Sequence, residues 1–254
     1  QILDVVEHVP GYPFDAAVAF LKAMQQLYGW ASPVPTPGFF GPKNPDLITV
    51  ATGPNSEDSL QVPIGSFRVP GVENAIRTVI DSHDGQPTFF VVGKVRKKEH
   101  DVLRELVRLA KSIMKSESIY RGKALRVPVD DDGELRRDLQ PAFIATAHIN
   151  PDELVLSRDV QMQLDTSLFT LVRHTAACKE HKIPLKRGVL LEGKYGVGKS
   201  LTASVASKVC VDNGWTFILL DKVQGLTDAL EFAKAYQPAV VFAEDIDRST
   251  EDRD

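Results

Sequence analysis

The sequence predicts an α/β protein in which a smaller α+β domain precedes a parallel β-sheet. In the second half, short apolar runs typical of buried strands alternate with helical patterns, which indicates a parallel sheet covered by helices on both faces. In the first half, short β-like runs are mixed with amphipathic helices. The charged, glycine-containing stretch VDDDGELRRD is typical of a linker or of an exposed turn between domains. We therefore predict an N-terminal domain over 1–129, a linker over 130–150 and a second domain over 151–254.

The elements of the first half follow from hydrophobic periodicity. Apolar residues recur at intervals of three and four in two segments, and alternating or β-branched runs bounded by turn residues mark the strands. The predicted helices span 14–28 and 97–116, and the predicted strands lie within 47–52, 60–70, 76–80, 87–95 and 118–129. The runs at 76–80 and 87–95 are expected to form a hairpin. The proline-rich stretch 32–45 is predicted to be a loop, in which Phe39 and Phe40 contact a client or, as the favoured interpretation, pack on the domain's own core.

The elements of the second half alternate between strand and helix. Pro184 and Gly214 mark the ends of two helices, because proline lacks the amide that a continuing helix needs and glycine is common just after a helix. The predicted strands are ELVLS at 153–157, GVLLEG at 188–193, WTFILLDK at 215–222 and PAVVFAEDID at 238–247, and the predicted helices span 159–181, 200–213 and 226–236.

Composition limits the class of protein. Hydrophobic residues make up 43% of the 254 residues and charged residues 25%, which is ordinary for a globular chain with a core. No apolar run is long enough for a membrane helix, and the start of the chain does not resemble an export signal. Two cysteines suit a reducing compartment, so we expect a cytoplasmic protein with no membrane partner. The net charge of −4 argues against a general nucleic-acid coat.

A phosphate-binding pattern lies between the predicted strand at 188–193 and the helix that follows. Its residues, which we call the phosphate loop, are Gly193, Lys194, Tyr195, Gly196, Val197, Gly198, Lys199 and Ser200, followed by Leu201. The glycines allow backbone N–H groups to point at an anion, and the helix start adds its positive dipole end. Lys199 would reach the β- and γ-phosphates of a bound nucleotide, and the Ser200 hydroxyl would ligate Mg²⁺. We therefore expect ATP and Mg²⁺ as ligands.

Acidic residues emerge where the predicted strand 238–247 ends. A nucleoside triphosphatase needs a carboxylate beside the phosphate loop to hold magnesium and to orient the attacking water. Glu244 and Asp245 are the candidates, and Asp247 is expected to have a supporting or structural role.

Together, RGVLLEGKYGVGKSLTA and PAVVFAEDIDR resemble the Walker A and Walker B regions of an AAA ATPase. The resemblance covers residues 150–254 and implies the parallel sheet of a P-loop NTPase, present here as an incomplete AAA module. It also implies an ATP hydrolase that remodels or translocates a protein client held by the N-terminal domain, and assembly into a homo-oligomeric, usually hexameric, ring.

The order Glu-Asp differs from the Asp-Glu that most of this family carries. Transfer by position makes Glu244 a magnesium ligand and Asp245 the catalytic base, and the roles could also be exchanged. Both residues and Lys199 are the expected catalytic groups, and the shorter base predicts slow turnover. The same order resembles the branch of the mitochondrial translocase of the Rieske protein. The DKVQG connection also resembles that branch, because it is short at the point where threading members of the family carry a longer pore loop.

The chain opens at Gln1 and closes on a polar stretch at Asp254, so we expect a fragment. The family's sensor asparagine, arginine finger and helical lid would then lie beyond Asp254. Since an arginine finger is worth about 10³ to 10⁵ in rate, residues 1–254 alone are expected to bind ATP but hydrolyse it weakly.

Two alternatives stay open. Arg104, Arg108, Lys111 and Lys115 form a basic stripe that could track a nucleic acid in a loader-type ATPase, although a solvated helix face is favoured because no aromatic set accompanies it. The other alternative is a nucleotide-binding module that does not hydrolyse ATP. His174, Cys178 and His181 have a spacing that could ligate zinc, but a fourth ligand is not apparent, so core and surface roles are favoured.

Overall fold

A computed structural model describes residues 2–30, 32–39, 41–83, 86–194 and 196–244. Over these residues the protein is mixed α/β and divides into two compact units. The first unit contains residues up to 119 together with 137–140, and the second contains 120–136 and the residues from 141 onward. The units therefore differ in extent from the predicted domains: the predicted linker 130–150 is shared between them, and the chain changes unit at 119 rather than at 129.

The first unit is built on a five-stranded antiparallel sheet and a separate two-stranded hairpin. The sheet has the order β1-β7-β6-β5-β2, and the hairpin pairs β3 with β4. The strands are β1 (Ile2–Val9), β2 (Ser32–Val34), β3 (Asp46–Ala51), β4 (Ser59–Ile64), β5 (Ser66–Arg68), β6 (Ile76–His83) and β7 (Gln86–Arg96). The predicted hairpin of β6 and β7 is confirmed, with Thr78 opposite Val91. β1 and the short β2 were not predicted.

Two helices, α1 (Pro13–Tyr28) and α2 (His100–Ser116), pack on each other and on this sheet. Both match the predicted 3.6-residue period. The ring of Phe20 on α1 lies 5.7 Å, centroid to centroid, from the rings of Phe67 and Phe89 on the sheet. This packing forms the core of the first unit, and α2 buries its apolar face on the same side.

The second unit contains a four-stranded sheet of order β11-β10-β8-β9. Its strands are β8 (Ala124–Arg126), β9 (Ala142–Phe143), β10 (Thr216–Leu220) and β11 (Ala239–Ala243), and its helices are α3 (Arg158–Leu164), α4 (Thr170–Arg173), α5 (Thr175–Glu180), α6 (Lys199–Asp212) and α7 (Leu226–Ala235). β10 and β11 are parallel, as predicted; β8, from a run assigned to the N-terminal domain, is also parallel to β10, and β9 is antiparallel to β8. The sheet is therefore mixed, because β9 follows β8 without a crossover helix.

Helices α6 and α7 lie on opposite faces of this sheet. Side chains alternate between faces along a strand. Phe217 and Leu219 of β10 share a buried cluster with residues of α6, so Ile218 and Leu220, which alternate with them, point to the other face. There Leu220 lies against Gly225, directly before α7. The unit thus has a central sheet between two helical layers.

Two predicted strands of the second unit are wrong, and one predicted helix is interrupted. Residues 154–157 and 184–194 have no regular secondary structure, although 153–157 and 188–193 were predicted to be strands. The predicted helix over 159–181 forms, but it contains a π-helical turn at Asp165–Phe169 and a break at His174. Among the described residues, no helix has the length and apolar character needed to cross a membrane.

Candidate functional site

The phosphate loop leads directly into α6. The helix begins at Lys199, with Gly198 as its N-cap residue at φ +100°. Gly196 also has a positive φ, of +84°. These left-handed backbone angles are open to glycine and strained for other residues, so the two glycines permit the turn that brings the loop to the helix start. The N-terminal amides of α6 are thereby presented at the loop, as anion binding requires.

The ammonium group of Lys199 lies inside this loop. Its Nζ donates hydrogen bonds to the carbonyl oxygens of Gly193, at 2.5 Å, and Lys194, at 3.2 Å. The lysine amine is therefore bonded to two consecutive main-chain carbonyls at the start of the loop. A phosphate oxygen is a stronger hydrogen-bond acceptor for an ammonium ion than a carbonyl is. A phosphate bound at this loop could therefore replace the two carbonyls as the partner of Lys199.

The remaining residues of the loop have distinct surroundings. Ser200 is exposed in the first turn of α6, while Leu201 packs on the core of the second unit. The Thr202 amide and hydroxyl both donate to the Gly198 carbonyl and fasten the first turn. A Cβ atom on Gly193 would lie 2.7 Å from Cγ2 of Val197, so the exposed Val197 side chain would have to move to admit one. Tyr195 lies outside the described residues.

Glu244 is at the same edge of the sheet as the phosphate loop. Its backbone amide donates to the Leu220 carbonyl at 3.0 Å, which continues the parallel pairing one residue past β11. α6 ends beside the start of β10, where the Trp215 amide bonds to the Cys210 carbonyl, and it packs along β10 and β11. The start of α6 consequently lies towards the carboxyl ends of these strands. Glu244 is half-buried there, and the predicted base Asp245 and Asp247 lie outside the described residues.

The strand that was expected to precede the phosphate loop is absent. Residues 188–193 have no strand partner among the residues that the structure describes, and Val189 and Leu190 are 45% and 75% exposed. An isolated extended segment is not stable as a strand, because its backbone groups have no neighbouring strand to bond. Only the loop and helix of the predicted strand, loop and helix combination are therefore observed.

Leu156, in the predicted strand 153–157, lies beside the phosphate loop. The Leu156 side chain approaches Gly198, with its Cδ2 atom 3.9 Å from the position that a Cβ would take. Nothing in the local sequence marks this contact, because it joins segments more than 40 residues apart. Leu156 gives the loop an apolar neighbour on one side.

The π-helical turn also lines a polar cavity of about 370 Å³ in the second unit. Asp165 accepts a hydrogen bond from the side-chain Nε2 of Gln161 at 3.1 Å and pairs with Arg173 at 3.7 Å. The Arg173 guanidinium in turn lies over the Phe169 ring, 5.3 Å from its centre. These groups satisfy one another, which accounts for the polar lining without a ligand.

The weaker candidate sites are not assembled in the structure. Cys178 is buried in α5, His174 lies at the break before it, and His181 follows it. Within the described ranges, no three His, Cys, Asp or Glu side chains are grouped so that they could hold a metal ion.

The basic stripe and Phe39 belong to the first unit. Arg104, Arg108 and Lys115 are exposed, and Lys111 lies 4.0 Å from Glu7, an arrangement that fits the favoured solvated helix face. The favoured interpretation of Phe39 is wrong, because its side chain is 96% exposed and does not pack on the core. Phe40 lies outside the described residues.

Comparison with protein-family models finds none that matches the chain. A search of the curated proteins finds no match either.

Proposed function

We propose that the protein is an ATPase that binds ATP with Mg²⁺ at the phosphate loop. The observation that carries the proposal is the Lys199 ammonium, held by the Gly193 and Lys194 carbonyls at the N-terminus of α6. A lysine, a glycine-bounded loop and a helix start in this arrangement are the groups that bind a nucleotide's phosphates. The proposal includes the P-loop NTPase fold for the second unit and membership of the AAA family, supported by the Walker-like motifs.

Each residue of the site would have a role that fits its chemistry. Loop amides and Lys199 would bind the phosphates, and the Ser200 hydroxyl and the Glu244 carboxylate would hold Mg²⁺, which prefers oxygen ligands. Bound Mg²⁺ supplies positive charge that offsets the charge on the phosphates. Asp245 would orient the attacking water, and a carboxylate one methylene shorter than glutamate reaches less far, so we expect slow turnover.

The proposed role of this reaction is to remodel or translocate a protein client, in a homo-oligomeric ring. Support comes from the AAA resemblance and from the separate first unit, which offers a surface that carries no part of the phosphate loop. The short connection between β10 and α7 contains a single 3₁₀ turn, Val223–Gly225, where a longer pore loop would thread a chain. We therefore favour a folded or assembled client.

The test is a titration of the whole chain with a fluorescent ATP analogue in Mg²⁺. Lys199→Ala removes the charge in the loop and should weaken binding at least about tenfold, which corresponds to about 1.4 kcal/mol. Lys208→Ala is the matched control, since Lys208 is on the same helix but pairs with Asp212 at its far end. The proposal fails if the chain does not bind the analogue, or if both variants bind as the parent does.

A second measurement separates the metal from the phosphates. Ser200→Ala should lower the affinity in Mg²⁺ and leave the affinity in EDTA unchanged, because the hydroxyl is assigned to the metal alone. Equal losses in Mg²⁺ and in EDTA would show that Ser200 supports the loop and does not ligate the ion.

A further inference from the structure

Strand β6 of the first unit is paired on both sides only where it begins. β7 pairs with it from Arg77 to His83, whereas β5 reaches only Ile76 and Arg77. Among the described residues, no strand therefore pairs with the part of β6 from Val79 onward on the side away from β7, and this side forms an open edge. An open strand edge presents unpaired N–H and C=O groups that can accept another strand.

The backbone direction along this edge follows from one hydrogen bond. The Thr78 amide donates to the Gly65 carbonyl at 2.8 Å, so the main-chain groups of Thr78 point away from β7. In an antiparallel strand this direction repeats at every second residue, so Ile80 and Ser82 face the same way. The Ser82 amide bonds to the Asp81 side chain at 2.8 Å. Within the described part of the chain, nothing bonds to the outward amide and carbonyl of Ile80.

Pro63 explains why the pairing stops. Continuing the register of β5 and β6 backwards along the chain would place Gly65 opposite Thr78 and Pro63 opposite Ile80. Proline has no N–H, so it cannot donate to the Ile80 carbonyl. The chain instead bends at Gly65, where φ is +150°, and β4 pairs with β3, where Pro63 lies opposite Leu47. β4 and β6 therefore diverge from the contact between Gly65 and Thr78.

A cleft of about 470 Å³ lies between the diverging strands β4 and β6. Its walls are mainly apolar: Ile64 and Ile48 come from the β3–β4 hairpin, and Val79 and Ile80 come from β6. The loop that carries the exposed Phe39 contributes Pro37 and Gly38 to the rim. An apolar cleft beside unpaired backbone groups provides both elements of strand recognition, namely main-chain hydrogen bonds and pockets for alternate side chains.

We propose that this cleft binds an extended segment of a partner protein, which adds to β6 as a further strand. The segment would have alternating apolar side chains and an acidic residue. We infer the acidic residue because Arg77 lines the cleft and is exposed. No described carboxylate forms an ion pair with Arg77, so a carboxylate of the partner could do so. The proposal concerns the first unit alone and does not depend on nucleotide binding, so either proposal can fail without the other.

Amide hydrogen exchange of the free protein tests whether the edge is open. The Ile80 amide should exchange much faster than that of Val79, which bonds to β7. Pro63→Val restores the missing donor, so β4 should close on β6 and slow exchange at Ile80 at least about tenfold. Pro87→Val is the matched control: Pro87 lies opposite Ser82 on β7, and its new amide would point away from β6. Equal protection of Ile80 and Val79 in the parent chain overturns the proposal.

Binding is tested with a panel of synthetic octapeptides that alternate valine and threonine and carry one glutamate at each position in turn. We expect members of the panel to bind the whole chain and to protect the amide of Ile80. N-methylation of alternate residues of a bound peptide should weaken binding at least about tenfold in one register and little in the other, because only alternate amides face β6. Pro63→Val should weaken the same peptides, and Arg77→Glu should remove the preference for glutamate.

Two results of the peptide experiment contradict strand addition. One is that no member of the panel binds at a concentration of about 1 mM. A few main-chain hydrogen bonds and an apolar pocket should give a lower dissociation constant than that. The other is binding that N-methylation weakens equally in both registers or that leaves Ile80 exchange unchanged.

Discussion

At the residue scale, Gly198 has the backbone conformation on which the phosphate loop depends. Its φ of +100° precedes the first residue of α6. In Gly198→Ala this conformation becomes strained, so we expect the second unit to lose about 1–3 kcal/mol of unfolding free energy and nucleotide binding to weaken. Urea unfolding followed by the fluorescence of the buried Trp215 measures the first effect.

Gly188→Ala is the control for this substitution. Gly188 lies in the same segment before the helix, and a Cβ there meets no atom within 4 Å. We expect its unfolding free energy to stay within about 0.5 kcal/mol of the parent value. A loss in Gly188→Ala as large as that in Gly198→Ala would show that the segment as a whole, and not the left-handed angle, is sensitive.

A second residue-scale prediction concerns Asp15, a buried carboxylate on α1. It accepts hydrogen bonds from the Ser118 hydroxyl at 2.6 Å and the Ile119 amide at 3.0 Å, and so ties α1 to the segment after α2. Asp15→Ala leaves buried donors without this acceptor and should cost the first unit about 2–4 kcal/mol. Thermal unfolding measures the loss, with Asp101→Ala in the exposed first turn of α2 as the control. A change in Asp15→Ala below about 0.5 kcal/mol would contradict the assignment.

At the element scale, the turn at 130–133 packs on the connection between β10 and α7. The Lys222 ammonium donates to the carbonyls of Asp130 and Asp131, at 3.1 and 3.0 Å. A Cβ atom on Gly225 would lie 2.3 Å from the Gly133 carbonyl oxygen, a main-chain atom that cannot rotate away. Gly225 and Gly133 thus let the two segments approach closely.

This close approach gives an element-scale prediction. Gly225→Ala should separate the turn from the connection, cost the second unit about 1–3 kcal/mol and speed amide exchange in the turn. Gly188→Ala again serves as the control, because alanine fits there without a contact. Unchanged exchange at Glu134 would mean that the two segments do not depend on each other. The predicted linker would then be only an exposed turn.

The sequence predicts elements whose signals are local. α1, α2 and α7 follow from a 3.6-residue period, and the β6–β7 hairpin follows from two strand-like runs joined by a turn. Whether an apolar run becomes a strand depends also on a partner elsewhere in the chain. β10 has such partners in β8 and β11, whereas residues 188–193 have none among the described residues, although both runs are apolar.

In the candidate site, too, local features were predictable and contacts with distant parts of the chain were not. Lys199 and the glycines follow each other along the chain, so their position at a helix start was predictable from their spacing. The position of Leu156 beside Gly198 depends on tertiary folding, and so does the membership of β8 in the second sheet. The exposure of Phe39 was not predictable, because hydrophobicity alone favours burial and the local sequence does not show which surface covers a loop.

At the scale of the whole molecule, each unit buries a group whose pKa is raised because burial disfavours its charged form. In the second unit, burial raises the pKa of the Cys210 thiol from 9.0 to about 12. In the first unit, burial raises the pKa of Tyr12, whose hydroxyl donates to the Leu139 carbonyl at 2.6 Å. In both cases the folded chain holds a proton that the unfolded chain releases at lower pH.

The direction of the resulting pH dependence is fixed by this difference in bound protons. Below pH 9 both states keep the Cys210 proton, so stability does not depend on it. Between about pH 9 and pH 12 the unfolded chain binds fewer protons, and the unfolding free energy of the second unit should fall by up to about 1.4 kcal/mol per pH unit. Urea unfolding under reducing conditions from pH 7.5 to 10.5, read from Trp215 in a Trp30→Phe background, measures the slope. Cys210→Ala should flatten it above pH 9, whereas an identical slope in the two proteins would show that another group causes the alkaline loss.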